Sequence, residues 1–152
     1  MNRRGFIEKT LQMNRDHEGE ELLILFADLD HLKEINDSFG HIEGDFSIRH
    51  CAEVLKKVVG ADGIVGRIGG DEFCVVTLGN LKDGQQIIER IREESDAFNC
   101  TSDKEYYVEL SAGCTSVICR NGLVIADALR EADRALYEVK KLRRNSVKKI
   151  RL

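Results

Sequence analysis

Two pairs of carboxylates stand where water and a low-dielectric interior are both within reach. Asp28 and Asp30 follow the apolar run Leu22-Leu23-Ile24-Leu25-Phe26-Ala27, and Asp71 and Glu72 follow Gly69-Gly70 between two short apolar segments. Hard oxygen ligands of this kind suit Mg²⁺, which takes one or two carboxylates and completes its octahedron with phosphate oxygens and water. A hairpin at 69–72 lying beside the first strand would carry Asp71 and Glu72 towards Asp28, and the chemistry indicated is a magnesium–nucleotide site. The plainer alternative is that Asp30 only caps the next helix, Asp28 is a solvated turn residue, and the two glycines serve the backbone geometry of the turn.

Phosphates would need charged side chains, because the sequence has no glycine-rich GxxxxGK[ST] cradle. Lys140 and Arg144 are four residues apart near the end of the last helical pattern, hence on one face, and Lys33 is a third candidate. None of the four histidines has metal-ligand spacing with the cysteines, and His17 and His50 read as surface residues.

The elements that must position these groups follow from apolar periodicity. The run 22–27 suits a central strand covered on both faces. After Asp30, a candidate N-cap, Leu32, Ile35 and Phe39 predict a short helix ending at Gly40. A second helix starts between Ile42 and Asp45 and carries Ile48, Cys51, Ala52, Leu55, Val58 and Val59 on one stripe before Gly60. Ile64–Ile68 and Phe73–Leu78 form the hairpin, its glycines supplying the positive φ of a tight turn. Asp83 is expected to cap a helix with Ile87, Ile88, Ile91 and Phe98 inward, and Tyr106–Ile118 to form a long strand. A last helix bears Ile125, Ala128, Leu129, Ala132, Leu136 and Val139, and Val147–Leu152 is expected as an edge strand. The order α-β-α-α-β-β-α-β-α-β predicts an α/β fold, α+β-like, with a central mixed β-sheet of about five strands flanked by helices.

Length and composition bound the rest. The 152 residues suit one domain, and 42% hydrophobic with 33% charged residues is the balance of a folded, water-soluble chain. A net charge of −4 argues against a nucleic-acid partner, although seven of the 23 basic residues fall in the last fifteen positions. The five cysteines form no CxxC pair and read as reduced core thiols. No apolar run reaches the roughly 18 residues of a membrane span. The domain is expected in the cytoplasm with no membrane contact of its own.

Three segments carry a resemblance to a known family. Phe26–Asp45 (FADLDHLKEINDSFGHIEGD), Arg67–Phe73 (RIGGDEF) and Ala132–Lys140 (ADRALYEVK) together resemble GGDEF domains of diguanylate cyclases, with Asn2–Phe6 and Leu110–Thr115 similar to further family signatures. The resemblance covers residues 1–152 and implies a palm-like nucleotidyl cyclase fold that condenses two GTP into cyclic di-GMP and two pyrophosphates. It implies Mg²⁺ or Mn²⁺ on Asp28, the Leu29 carbonyl and Asp71, with Glu72 the base near the 3′-hydroxyl. It further implies Asn36 and Asp45 on guanine, His41 at a substrate contact, and Lys33, Lys140 and Arg144 on phosphates. The reaction needs a second copy of the domain, so a homodimer is expected, and the chain reads as part of a longer regulatory protein that a missing N-terminal portion could anchor to a membrane.

The pattern departs from the family in a few places. Leu32 stands where phenylalanine is usual and Arg143 where glycine is frequent, neither removing a catalytic group. Many members carry an RxxD product site ending six residues before the first signature glycine; here those two places hold Gly60 and Gly63, with Asp62 one residue out of register. The alternative function is a catalytically silent GGDEF-like module that binds GTP, and a cyclase acting on a single nucleotide is the other enzymatic reading.

Overall fold

The computed structural model describes residues 2–151, with side chains for 2–142. In chain order the elements are α1 (Arg3–Asp16), β1 (Glu21–Leu29), α2 (Leu32–Phe39), α3 (His41–Val59), β2 (Ile64–Arg67), β3 (Glu72–Leu78), α4 (Leu81–Thr101), β4 (Leu110–Ile118) and α5 (Ile125–Arg151). Among the described residues the sheet has four strands in the order β2-β3-β1-β4.

Side-chain alternation along β1 builds three layers. Leu22, Ile24 and Phe26 point to one face and pack with Phe6 of α1 and with Ala128, Ala132 and Leu136 of α5. Leu23, Leu25, Ala27 and Leu29 point to the other and pack with Cys51, Val54, Leu55 and Val58 of α3 and with Ile87 and Ile91 of α4. A strand buried on both faces has no room for polar alternation, which is why β1 reads as an unbroken apolar run.

Every ladder in the sheet is antiparallel, which corrects the expectation of a mixed sheet of about five strands. The crossover from β1 to β2 through α2 and α3 skips one place, and β3 fills it; the crossover from β3 to β4 through α4 likewise straddles β1. Strands joined by helices thus run in the same direction without being neighbours, the split βαβ arrangement. The edge strand expected over Val147–Leu152 is not formed: through Arg151 the backbone continues α5, the i, i+4 hydrogen bonds of the long helix running on past Val139.

Three local expectations also change. Tyr106–Glu109 is not strand, because the Asn99 side chain takes over the hydrogen bonds of Val108: Val108 N donates to Asn99 Oδ1 and Asn99 Nδ2 donates to Val108 O, both at 3.0 Å. Asp83 is not the cap of α4 but the third residue of a capping box, exchanging 2.9 Å bonds with the true N-cap, Asn80. Cys51, Cys74 and Cys119 are buried free thiols, as expected, whereas Cys100 is exposed.

Candidate active site

The end of β1 gathers the sequence-predicted carboxylates. Asp28 lies opposite Glu72 in the β1–β3 ladder and opposite Ser111 in the β1–β4 ladder. Leu29 N donates to the Asp71 carbonyl at 2.9 Å, which fastens the turn between β2 and β3 to the strand end. Arg67 holds the same turn from behind: its guanidinium donates to the carbonyls of Gly69, at 3.1 Å, and Gly70, at 2.9 Å. The hairpin therefore forms as expected, but neither Gly69 nor Gly70 has a positive φ. A Cβ at Gly69 would press on the Glu72 side chain at 3.1 Å, whereas one at Gly70 would meet nothing, so the turn is open on that side.

Asp28 is the buried member of the group, with only 13% of its side chain exposed. Its Oδ2 accepts from Lys140 Nζ, while its Oδ1 is buried without a hydrogen-bond partner among the described residues. Desolvation pushes the carboxyl up to about 6; Lys140 opposes this, and the negative charges of Asp71 and Glu72 add to it. A desolvated carboxylate with one unpaired oxygen, beside two further carboxylates, is a donor set that fits a divalent cation. Among the described residues no three such side chains converge into a closed cage.

Lys140 reaches Asp28 because α5 lies directly on β4. A Cβ at Gly113 would fall 2.3 Å from the Leu136 backbone nitrogen, so only glycine allows this approach. Gly113 is level with Phe26 in the sheet. From there Asp28 is two strand residues on, about 6.7 Å, and Lys140 is four helix residues beyond Leu136, about 6 Å. The two advances match, and the ammonium arrives over the carboxylate.

Asp30 does not cap α2. Both its oxygens accept from Ser111 Oγ at 2.9 Å, and its backbone N–H donates to the Glu109 carbonyl. The N-cap position falls instead to His31, which holds a left-handed φ of 62° and makes no side-chain cap bond. Ser111, Gly113 and Arg67 are the positioning residues that sequence reasoning missed. The one signal available was a glycine in the middle of a β-rich segment.

A second group flanks the junction of α2 and α3. The Asn36 side chain lies against the Gly44 backbone, its Oδ1 only 1.7 Å from where a Cβ would be, and next to Gly44 the exposed Asp45 projects from α3. Glu43 anchors the same turn, accepting from Lys104 Nζ and Tyr106 Oη, each at 2.8 Å. His41 opens α3 and Lys33 lies in the first turn of α2, both exposed. Asn36 thus lies against the residue that precedes Asp45. The Arg144 side chain lies outside the described residues. His50, expected at the surface, is half-buried against Phe98, with ring centroids 4.0 Å apart, and burial lowers its pKa. His17 is partly exposed and pairs with Glu20.

Comparison with known proteins decides the family. Residues 1–146 match the family described as "Diguanylate cyclase, GGDEF domain". The chain belongs to that family. This GGDEF domain is 37% identical over 145 residues to the diguanylate cyclase DgcP of Escherichia coli, covering 92% of this chain and 42% of that protein. It superposes on the active GGEEF domain of a diguanylate cyclase from Vibrio cholerae with a TM-score of 0.78 and 29% identity, over 92% of this chain and 90% of that one. It also resembles the GGDEF domain of DgcB from Caulobacter crescentus in complex with c-di-GMP, with a TM-score of 0.80 and 26% identity over 92% and 85% of the two chains. The domain spans less than half the length of the curated relatives it matches. Among the described residues no helix is long and apolar enough to cross a membrane.

Proposed function

We propose that this GGDEF domain joins two GTP molecules into cyclic di-GMP, releasing two pyrophosphates, with Mg²⁺ or Mn²⁺ as the metal. The observation that carries the reading is Asp28: a buried carboxylate with one oxygen unpartnered among the described residues, at the end of the central strand, beside the Asp71–Glu72 turn. Asp28, the Leu29 carbonyl and Asp71 would hold the metal, which when bound polarises the phosphate and offsets charge in the transferring group.

The domain's own residues do the remaining work. Asp45 accepts from guanine N1–H and N2–H₂ while Asn36 pairs with the same base, so an adenine, lacking that donor edge, is disfavoured. Lys33, Lys140 and Arg144 hold phosphates, and His41 contacts the substrate. Glu72, exposed on the open side of the turn, takes the proton of the attacking 3′-hydroxyl. Each domain holds one GTP, so the 3′-hydroxyl of one must face the α-phosphorus of the other across a homodimer of two-fold symmetry.

Incubation of the domain at high concentration with GTP and Mg²⁺, followed by mass analysis of the product, tests the reading. Cyclic di-GMP is expected. GTP binding without turnover would establish a silent module, and a cyclised mononucleotide would establish a different cyclase.

The product should bind weakly at the place where many relatives hold RxxD. Here Gly60 closes α3 and Gly63 packs so tightly that a Cβ would fall 1.7 Å from Val59 Cγ1. The adjoining cleft, about 310 Å³, is lined by Lys9, Lys56, Gly60, Gly63, Ile64 and Val65, with no guanidinium fork and no carboxylate. Arg67, the nearby candidate substitute, is engaged with the turn carbonyls. Loss of charge-assisted contacts costs about 3 kcal/mol or two decades in affinity relative to an intact site. Calorimetric titration with cyclic di-GMP checks this: micromolar binding abolished by substitutions around Gly60 would contradict it.

A further inference from the structure

The geometry points to Lys140 as the resident counter-cation of the metal position, one that releases Asp28 more readily when metal and nucleotide enter together. This rests on the assignment of Asp28 as a metal ligand. Asp28 is largely withdrawn from water and shares its surroundings with Asp71 and Glu72, so without a cation its charge would be held against desolvation and two like charges. Lys140 supplies that cation through Oδ2, and Oδ1 has no hydrogen-bond partner among the described residues.

The placement is built into the backbone. Contact of Leu136 with Gly113 sets the level of α5 on the sheet, so the Lys140 Cα is fixed while its four-carbon stem lets the ammonium pivot. With 34% of its side chain exposed, the lysine has solvent on one side into which to swing. A bare divalent ion approaching Asp28 must displace the ammonium and leave it without an anion. When the ion arrives with a nucleotide, the phosphates give Lys140 a new partner, and the displacement costs less. Lys140 therefore acts in two places in succession, on Asp28 in the empty site and on phosphate in the filled one. Metal and nucleotide affinities must then be linked, each raising the other by the same factor.

The test uses Mn²⁺ as the probe, followed by electron paramagnetic resonance on the full chain at pH 8, with and without 3′-deoxy-GTP, which lacks the attacking hydroxyl. Lys140→Met is expected to bind Mn²⁺ without nucleotide about tenfold more tightly than the wild type. The factor by which 3′-deoxy-GTP tightens Mn²⁺ binding should shrink correspondingly. Lys140→Gln, read alongside, serves if the methionine variant does not fold by circular dichroism. Nucleotide-free Mn²⁺ affinity no higher than wild type in the folded variants overturns the exchange. Asp28→Asn on the Lys140→Met background separates the two assignments. If that second substitution leaves Mn²⁺ binding unchanged, Asp28 is not a ligand and the site reading itself fails. If it abolishes binding while Lys140 has no effect, only the exchange is lost.

Discussion

Asp71→Asn is expected to lower turnover roughly a thousandfold while leaving the fold intact. The carboxylate is proposed to share the metal with Asp28, and losing its charge removes about 4 kcal/mol of support for charge developing on the transferring phosphoryl group. The architecture of the turn does not depend on that charge. The Asp71 backbone carbonyl, not its side chain, accepts from Leu29 N, and the turn is held by Arg67 through the carbonyls of residues 69 and 70. Relief of one of the negative charges that oppose ionisation of Asp28 should leave the melting temperature equal to or slightly above wild type. Steady-state kinetics and a thermal melt on the same preparation check both halves. Full activity would remove Asp71 from the metal site, and a large drop in melting temperature would make its role structural.

Asp45→Ala is expected to weaken GTP binding by roughly a hundredfold and ATP binding hardly at all. Two charge-assisted hydrogen bonds from guanine are lost, each contributing about 1.5–3 kcal/mol when well formed, and the exposed position of Asp45 puts the sum near the lower bound. Inosine triphosphate, which keeps N1–H but lacks the exocyclic amine, should fall between the two nucleotides in the wild type and lose only part of what GTP loses. Calorimetry with all three nucleotides reads the pattern. An equal loss for GTP and ATP would mean that Asp45 supports the site generally and does not read the base. Because Asn36 is seated on Gly44, the preceding residue, its orientation should survive the substitution, which keeps the effect local.

Several features were legible in the sequence because their causes are local. A six-residue apolar run that stops at Asp28 is satisfied by a strand covered on both faces, and its first charged residue then stands near the strand's end. The spacing of Asn36 to Asp45 across Gly40 sets α2 and α3 end to end, and that places Asn36 against Gly44, the residue before Asp45. The Asp71–Glu72 turn was legible for the same reason, as two β-forming segments with too few residues between them for anything but a hairpin.

Other features required the tertiary structure. Whether strands linked by helices become neighbours depends on what is inserted between them, and nothing in either crossover announces that β3 or β1 will fill the gap. Tyr106–Glu109 has the composition of a strand, yet Asn99 satisfies Val108 first, a choice between equivalent hydrogen bonds made 9 residues away. Asp30 looked like a cap, as such residues usually are, but Ser111, distant in sequence, offered it a hydroxyl.

The sequence by itself determined which chemical groups this GGDEF domain carries and on which short elements each one sits, since periodicity, turn residues and local spacing act over a few residues. Only the tertiary structure decided how those elements meet: that α5 presses on β4 at Gly113 and so delivers Lys140 to Asp28, 112 residues away. Docking of that kind depends on close contact between two backbones and on which charges are withdrawn from water together. Both are properties of packed surfaces, and no local stretch of chain encodes them alone.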